Sequence, residues 1–306
     1  MKTLAIFLVM FNFLTGSLNT VKDGLLAALS DPRAYPLQAL TIQLMKPEPI
    51  RNPLTADPVI EATSAIVIDA QTGKVLFEKN ANRELAMASI TKIMTAMVVL
   101  KYTADLDSVA RVSEAAAKVS GSQMYLLSGE TITVRNLLAG MLIESANDAA
   151  YALAEYTFGN ITRFADAMNR CAAELKMTHT HFANAHGADE RDHYSTARDL
   201  AALTAYALNN ETFRQIVHTQ SATVTDTTGR FKHRLENTNK LMGAYANVIG
   251  GKTGTTLEAG ASLSVAAEGD SGQTIITVLL DSPQRFTEGK ILLDWALKAY
   301  SWVEPL

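Results

Sequence analysis

Residues 88–96 read ASITKIMTA, a segment in which apolar side chains recur at helical spacing. The repeat runs past the end of the segment and includes Ile90, Ile93, Met94, Met97 and Val98. The spacing predicts a helix with an apolar core face and puts Ser89 at its start, where serine is a common N-cap. Because residues three apart share a helix face, Lys92 is predicted to lie within reach of the Ser89 hydroxyl. An N-cap role and a chemical role for Ser89 are both open.

Strand patterns lie on both sides of this helix. Residues 64–69 and 75–79 flank the turn residues 71–73 and predict a hairpin. Later segments predict strands at 248–254, 261–267 and 274–280, and helices at 134–142, 161–175, 197–208 and 291–299. Strands at both ends with helices between them predict an α/β (α+β) fold. In that fold one antiparallel sheet is covered by helices and accompanied by a helical subdomain.

Composition indicates a globular chain with a large core. The 306 residues are 48% hydrophobic and 19% charged, which is consistent with one domain and a subdomain. The 27 Lys and Arg residues against 31 Asp and Glu residues give a net charge of -4, which offers no basic field for nucleic acid. Nucleic acid is therefore not an expected partner. The single cysteine, Cys171, continues an apolar helical pattern and is predicted to be a buried structural thiol.

The N-terminus has the composition of an export signal. In residues 1–17, Lys2 precedes an apolar run that is shorter than the roughly 18 residues of a membrane-spanning helix. No clear A-x-A cleavage site follows, so signal removal and retention as a membrane anchor are both open. Residues 18–62 are rich in proline and are predicted to be a linker to a folded domain at 63–303. The domain is expected in the periplasm or an equivalent extracytoplasmic space.

Two more motifs follow Ser89 and Lys92. Residues 145–147 read SAN, 56 positions after Ser89 (145 − 89), and residues 252–254 read KTG, 107 positions later (252 − 145). A serine hydroxyl needs a neighbouring base, and a lysine serves only where burial or nearby positive charge lowers its pKa. We expect neutral Lys92 to take the Ser89 proton during attack on a carbonyl, and Lys252 to supply that charge.

The second motif supplies groups for proton transfer. Ser145 and Lys252 are predicted to relay a proton to the departing amine, while Asn147 orients Lys92 and binds the amide of the substrate. An isolated S-x-x-K is expected by chance about once in a chain of this length. The information therefore lies in the order of the three motifs.

The third motif suggests how a peptide would bind. A strand carrying Lys252, Thr253 and Gly254 at a sheet edge could dock an extended peptide by main-chain pairing. The developing oxyanion needs two N–H donors, and the backbone N–H groups of Ser89 and Thr255 are the candidates.

The three motifs resemble the set found in penicillin-binding proteins and class A β-lactamases. Further segments resemble the D-alanyl-D-alanine carboxypeptidase family, namely residues 65–69, 88–96, 184–187, 193–200, 237–241 and 251–256. The resemblance covers about residues 63–300. It implies the three-layer β-lactamase/DD-peptidase sandwich with a five-stranded antiparallel sheet. It also implies removal of the terminal D-alanine from peptidoglycan stem pentapeptides through an acyl-serine, with β-lactam antibiotics as covalent inhibitors.

The resemblance also assigns residues. The family nucleophile falls on Ser89, its base on Lys92, its second motif on Ser145 and Asn147, and its third on Lys252, Thr253 and Gly254. An arginine that holds the terminal carboxylate of the substrate matches Arg285, and a surface arginine without a role is the alternative. No metal or other cofactor is implied. The C-terminal β-domain and membrane helix of many relatives are not expected, so any membrane attachment would come from the N-terminus.

Other polar clusters have simpler interpretations. The histidines at 179, 181, 186 and 193 lie close in sequence but lack the H-E-x-x-H pattern, so they are predicted to be loop residues rather than metal ligands. Glu190 and Asp192 lie in a segment of mixed charge, which is typical of a solvated turn.

Three other functions are open. A DD-endopeptidase that cuts peptidoglycan cross-links shares every motif. A class A β-lactamase needs a water held by glutamate, commonly in an E-x-x-L-N segment, and no such segment occurs between Asn147 and Lys252. A non-catalytic wall-binding protein would have no use for a nucleophile and base.

Overall fold

The computed structural model describes residues 47–245 and 247–303. The strands of this part are β1 Glu48–Arg51, β2 Ser64–Asp69, β3 Val75–Lys79, β4 Val109–Arg111, β5 Thr131–Thr133, β6 Ser221–Thr225, β7 Lys232–Glu236, β8 Val248–Thr256, β9 Gly260–Glu268, β10 Thr274–Leu280 and β11 Tyr300–Val303. Its α-helices are α1 Lys92–Tyr102, α2 Glu114–Lys118, α3 Val134–Ala139, α4 Asn147–Phe158, α5 Ile161–Glu174, α6 Ala197–Leu208, α7 Glu211–His218 and α8 Arg285–Ala299. A 3-10 turn at Ala88–Thr91 leads into α1, and a π-helical turn at Gly140–Glu144 follows α3.

Five strands form the central sheet in the order β3-β2-β10-β9-β8, and each neighbouring pair is antiparallel. Strands from the two ends of the domain meet at the centre, where Ile276 of β10 lies opposite Ile68 of β2. β8, which carries the KTG motif, is an edge strand, so one side of it has no strand partner among the described residues.

The sheet is buried on both faces because successive side chains of a strand point to opposite sides. In β2, Ile66 and Ile68 join the larger core, which is covered by α1 to α7. Val67 points the other way and joins the core beneath α8, which includes Leu292. Helices, sheet and helix thus form three layers. The predicted fold, with its five-stranded antiparallel sheet and helical subdomain, is confirmed.

The start of α1 differs from one prediction. The apolar repeat from Ile90 to Val98 is buried, as its spacing predicts. Ser89, however, is not an N-cap, because it lies inside the 3-10 turn and α1 begins only at Lys92. The N-cap interpretation is therefore wrong, and the Ser89 hydroxyl is free for other partners.

The described residues before 63 pack on the domain. β1 pairs with β11, with Pro49 opposite Trp302, and Trp295 of α8 donates a hydrogen bond to the backbone of Ala56 at 2.8 Å. Ile60 is buried in the core beneath α8. The compact part of the chain thus includes the end of the segment predicted to be a linker. Residues 1–46, which contain the predicted export segment and the rest of that linker, lie outside the described residues.

α8 is the longest helix among residues 47–245 and 247–303, with 15 residues. A helix that crosses a bilayer needs about 20 apolar residues. None of the helices in this part of the chain meets that requirement.

Candidate active site

Lys92 is the centre of the site. Its Nζ lies 2.7 Å from Ser89 Oγ, 2.7 Å from Asn147 Oδ1 and 2.6 Å from the backbone oxygen of His186. The side-chain amide of Asn147 cannot be reversed, because its Nδ2 donates to the backbone oxygen of Ser120 at 2.7 Å. Lys92 itself is fully buried. The structure thus brings together the first motif and the asparagine of the second.

Local structure explains these positions. The 3-10 turn holds Ser89 immediately before α1, and Lys92 is the first residue of that helix. Asn147 is the first residue of α4. Ser145 is buried between the π-helical turn and α4, and its φ of 65° is in the left-handed region. This conformation ends the turn and allows α4 to begin in a new direction, with Asn147 facing Lys92.

Two buried lysines of the site have lowered pKa values. Burial lowers the pKa of Lys92 well below its ordinary value, the charge of Lys252 lowers it further, and Asp148 opposes the change. Burial also lowers the pKa of Lys252 to about 7, with the charge of Arg285 acting in the same direction and Glu144 against it. Both factors that the sequence analysis required for a lysine base, burial and a second positive charge, are therefore present.

The third motif lies in the edge strand β8. Lys252 is buried and its Nζ donates to the backbone oxygen of Thr253 at 3.1 Å. The Thr253 hydroxyl lies 2.7 Å from that of Thr238, which fixes its orientation.

Arg285 is bound to the end of the same motif. It is the first residue of α8, and its Nη1 donates to the backbone oxygen of Gly254 and to Thr255 Oγ1, each at 2.6 Å. The guanidinium also lies over the Phe286 ring, 4.9 Å from its centroid. Arg285 is therefore hydrogen-bonded to the strand that carries the KTG motif.

Two glycines pack closely against the Ser89 turn. A Cβ added to Gly254 would lie 2.8 Å from the backbone nitrogen of Ser89, so β8 passes directly beside that nitrogen. A Cβ added to Gly187 would lie 2.1 Å from the backbone oxygen of Ala88. Backbone atoms cannot yield as a flexible side chain does. The turn is therefore held between two segments distant in sequence.

Gly187→Ala is expected to displace the Ser89 turn and slow the reaction of Ser89 Oγ with an acylating reagent roughly tenfold or more, because small misplacements of reacting groups are costly. Gly187 has a φ of 92°, so the substitution also strains the backbone by about 1–2 kcal/mol. Gly73→Ala is the matched control, since its φ is 75° but a Cβ there meets nothing within 4 Å. Thermal unfolding and acylation rates measured for both variants separate strain from contact. Equal acylation rates would contradict the expectation.

The remaining polar residues are dispersed. His179 lies 3.0 Å from Glu84 at the surface, whereas His193 contacts the buried hydroxyl of Thr91 at 2.7 Å. Among residues 47–245 and 247–303, no three His, Cys, Asp or Glu side chains are grouped as metal ligands. Cys171 is buried in α5, and burial raises the pKa of its thiol, as expected for a structural cysteine.

One partner of Lys92 was missed by sequence reasoning. The backbone oxygen of His186 is displayed by a tight turn in which Asn184 Oδ1 accepts from the N–H groups of His186, Gly187 and Ala188, at 3.2, 2.7 and 3.2 Å. Since the acceptor is a backbone atom, residue type does not mark it. The similarity of segment 184–187 to the family was its only signal.

Comparison with known sequences identifies relatives over most of the chain. A family model described as D-alanyl-D-alanine carboxypeptidase matches residues 52–284. D-alanyl-D-alanine carboxypeptidase DacF of Bacillus subtilis is 37% identical over 252 residues, which is 80% of this chain and 64% of that protein. The D-alanyl-D-alanine carboxypeptidase of Streptomyces sp. strain K15 is 36% identical over 248 residues, 76% of this chain and 85% of that protein. The chain thus spans less than two thirds of the length of the Bacillus relative.

A solved structure is also similar to this chain over most of its length. The crystal structure of the Streptomyces K15 DD-transpeptidase superposes with a TM-score of 0.75 at 33% identity, covering 79% of this chain and 99% of that one.

Proposed function

The chain belongs to the D-alanyl-D-alanine carboxypeptidase family, and from this membership we propose that it is a serine peptidase that removes the terminal D-alanine from peptidoglycan stem pentapeptides. The observation that carries the proposal is the 2.7 Å contact between Lys92 Nζ and Ser89 Oγ within a buried cluster. Such a substrate lies outside the cytoplasm. The protein would therefore be exported, with residues 1–17 either removed or kept as a membrane anchor.

The partners of Lys92 support its role as base. A neutral lysine amine has two N–H donors and one lone pair. Asn147 Oδ1 and the backbone oxygen of His186 can only accept, so together they use both donors. The lone pair is left for the hydroxyl hydrogen of Ser89. Because the pKa of Lys92 is lowered, this neutral form is accessible.

Acylation begins with Ser89 and its base, Lys92. Ser89 Oγ attacks the carbonyl carbon between the two D-alanines, a new C–O bond forms, and the hydroxyl proton passes to Lys92. Collapse of the tetrahedral intermediate breaks the C–N bond, and the proton held by Lys92 reaches the departing amine through Ser145 and Lys252, which leaves Lys92 neutral again. Water then attacks the acyl carbon, the bond from that carbon to Ser89 Oγ breaks, and a water proton passes through Lys92 to Ser89 Oγ. These steps free the shortened peptide and restore the Ser89 hydroxyl.

Backbone and cationic groups would bind the substrate. The N–H groups of Ser89 and Thr255 are the proposed oxyanion donors, and the close approach of Gly254 to the Ser89 nitrogen supports this pairing. An extended peptide would add to the edge of β8 by main-chain hydrogen bonds. Lys252 and Arg285 would hold its terminal carboxylate. β-Lactams, which acylate the same serine, would be covalent inhibitors.

The proposal predicts a bell-shaped pH dependence of kcat/KM. On the acid side Lys92 becomes protonated, so the rate rises as pH climbs through its lowered pKa. On the alkaline side Lys252, with a pKa of about 7, loses the charge that binds the carboxylate, so the rate falls. Lys252→Arg remains charged, so its profile is expected to lose the alkaline limb, at a lower overall rate because a guanidinium cannot relay a proton. Measurement from about pH 5 to about pH 9 checks this, and a flat profile would contradict Lys92 as base.

Product analysis tests the reaction itself. Purified protein is incubated with a stem pentapeptide and, separately, with cross-linked muropeptide dimers. D-alanine release from the pentapeptide supports the carboxypeptidase, whereas monomers from the dimers would indicate an endopeptidase instead. Because one solved relative is a DD-transpeptidase, a third reaction includes an amine acceptor to detect transfer. Absence of every product and of a penicillin adduct would overturn the proposal.

A further inference from the structure

A chain of buried hydrogen bonds connects segment 183–193 to the turn that carries the nucleophile. The nitrogen of Ala183 lies 3.0 Å from His193 Nδ1, and His193 Nε2 lies 2.7 Å from Thr91 Oγ1. Thr91 Oγ1 in turn lies 2.7 Å from the backbone oxygen of Ala88. His193 is 3% exposed and Thr91 is 0% exposed. Water cannot replace a broken bond there, so each link constrains its neighbours.

The direction of donation along this chain is determined. The backbone N–H of Ala183 can only donate, so His193 Nδ1 accepts, and a neutral imidazole then carries its hydrogen on Nε2. That hydrogen goes to the Thr91 oxygen. The single hydroxyl hydrogen of Thr91 goes to the backbone oxygen of Ala88, which can only accept. Every group has a partner when His193 is neutral.

His193 is neutral at working pH. Burial lowers its pKa to about 4, the charges of His186, His181 and Lys92 act in the same direction, and Asp189 opposes them. Protonation would add a hydrogen to Nδ1, which must accept from the N–H of Ala183. The donor arrangement therefore holds across neutral and alkaline pH.

The last acceptor, the oxygen of Ala88, belongs to the same peptide unit as the nitrogen of Ser89. In a trans peptide the C=O and N–H point in opposite directions within one plane. Holding the Ala88 oxygen against Thr91 therefore aims the Ser89 N–H away from Thr91. Ala88 has a φ of 48°, a conformation that L residues adopt only when neighbouring contacts hold it.

From this geometry we infer that His193 is a positioning residue for acylation. Through Thr91 it sets the direction of the Ser89 N–H, one of the two donors assigned to the oxyanion. The inference rests on the proposed function, since it assigns that N–H a task in the reaction. His193 itself touches no reacting atom, so its effect should appear in the chemical step and not in substrate binding.

The test measures penicillin acylation as a rate constant k2 and a pre-acylation dissociation constant Ks, both taken from the concentration dependence of labelling. Thr91→Val removes the hydroxyl with little change in shape, and His193→Phe keeps the ring that packs edge-on against Phe182. Loss of one oxyanion donor slows reactions about 10²- to 10³-fold, and a tilted donor retains part of its effect. We expect k2 to fall about 10- to 100-fold in both variants, with Ks within about twofold.

Two further variants exclude a merely structural effect. Thr204→Val is the matched control, because Thr204 is also buried and its hydroxyl also has one backbone and one side-chain partner, Leu200 at 2.7 Å and Ser264 at 2.8 Å. It should keep the parental k2. His193→Gln retains an amide donor for Thr91 and should be faster than His193→Phe.

The outcomes separate this inference from the proposed function. If the parent chain forms no adduct, the proposed function is overturned and the inference with it. If the parent reacts and Thr91→Val keeps its k2, only the inference is overturned. Equal k2 values for His193→Phe and His193→Gln would overturn it as well, and this comparison stands even if Thr91→Val does not fold.

Discussion

Ser89→Ala is expected to abolish covalent labelling by penicillin and to lower D-alanine release by about 10⁴-fold or more, because the acyl-enzyme cannot form without the hydroxyl. Labelling is followed with a fluorescent penicillin, and the modified peptide of the parent is mapped by mass spectrometry. The fold should be unaffected. The hydroxyl makes only two polar contacts among the described residues, to Lys92 at 2.7 Å and to the backbone of His186 at 3.4 Å.

Ser145 is the internal comparison for this experiment. It is also a buried serine of the site, but its proposed task is proton relay, so Ser145→Ala should still form the adduct, more slowly. An adduct mapped to Ser145, or a Ser89→Ala variant as active as the parent, would show that the nucleophile has been assigned wrongly.

Lys92→Met is expected to slow acylation by about 10²- to 10⁴-fold, the usual contribution of a positioned general base. Methionine keeps the length and apolar stem of lysine in a fully buried position but cannot accept the Ser89 proton. Lys92→Arg should be comparably slow, since a guanidinium does not deprotonate near neutral pH. The measurement is k2 for penicillin, with circular dichroism to verify folding.

Lys101 provides the matched control on the same helix. It lies in α1 as well, but its ammonium is at the surface and pairs with Glu174 at 2.6 Å. Lys101→Met should therefore retain the parental k2. If Lys92→Met is folded and acylates within a few fold of Lys101→Met, another group must be the base.

Local elements could be predicted because their signals are periodic. The strand predicted at 274–280 and the helix predicted at 197–208 have the same bounds as β10 and α6. The helix predicted at 134–142 instead ends at residue 139 and continues as a π-helical turn. A π-turn widens the helix by one residue, and over a single turn that change is too small to alter the apolar spacing.

The surroundings of Ser89 were predicted less completely. Spacing alone put Ser89 within reach of Lys92, and the structure has the two side chains in contact at 2.7 Å. The spacing did not reveal the 3-10 turn, so the N-cap interpretation of Ser89 was wrong. It also left Arg285 open between a role in binding the substrate carboxylate and no role, and the structure adds that its guanidinium donates to Gly254 and Thr255.

The order of amino acids was thus sufficient for the three motifs, the Ser89–Lys92 pair and a sheet covered by helices, because residue type and short-range spacing carry that information. The three-layer arrangement was implied by the resemblance to the family. Two features depended on tertiary packing. One is the backbone oxygen of His186, which completes the partners of Lys92 from 94 residues away and leaves no trace in residue type, since every residue has a carbonyl. The other is the lowered pKa of Lys92, which arises only when distant segments fold over its amine, exclude water from it and bring Lys252 close.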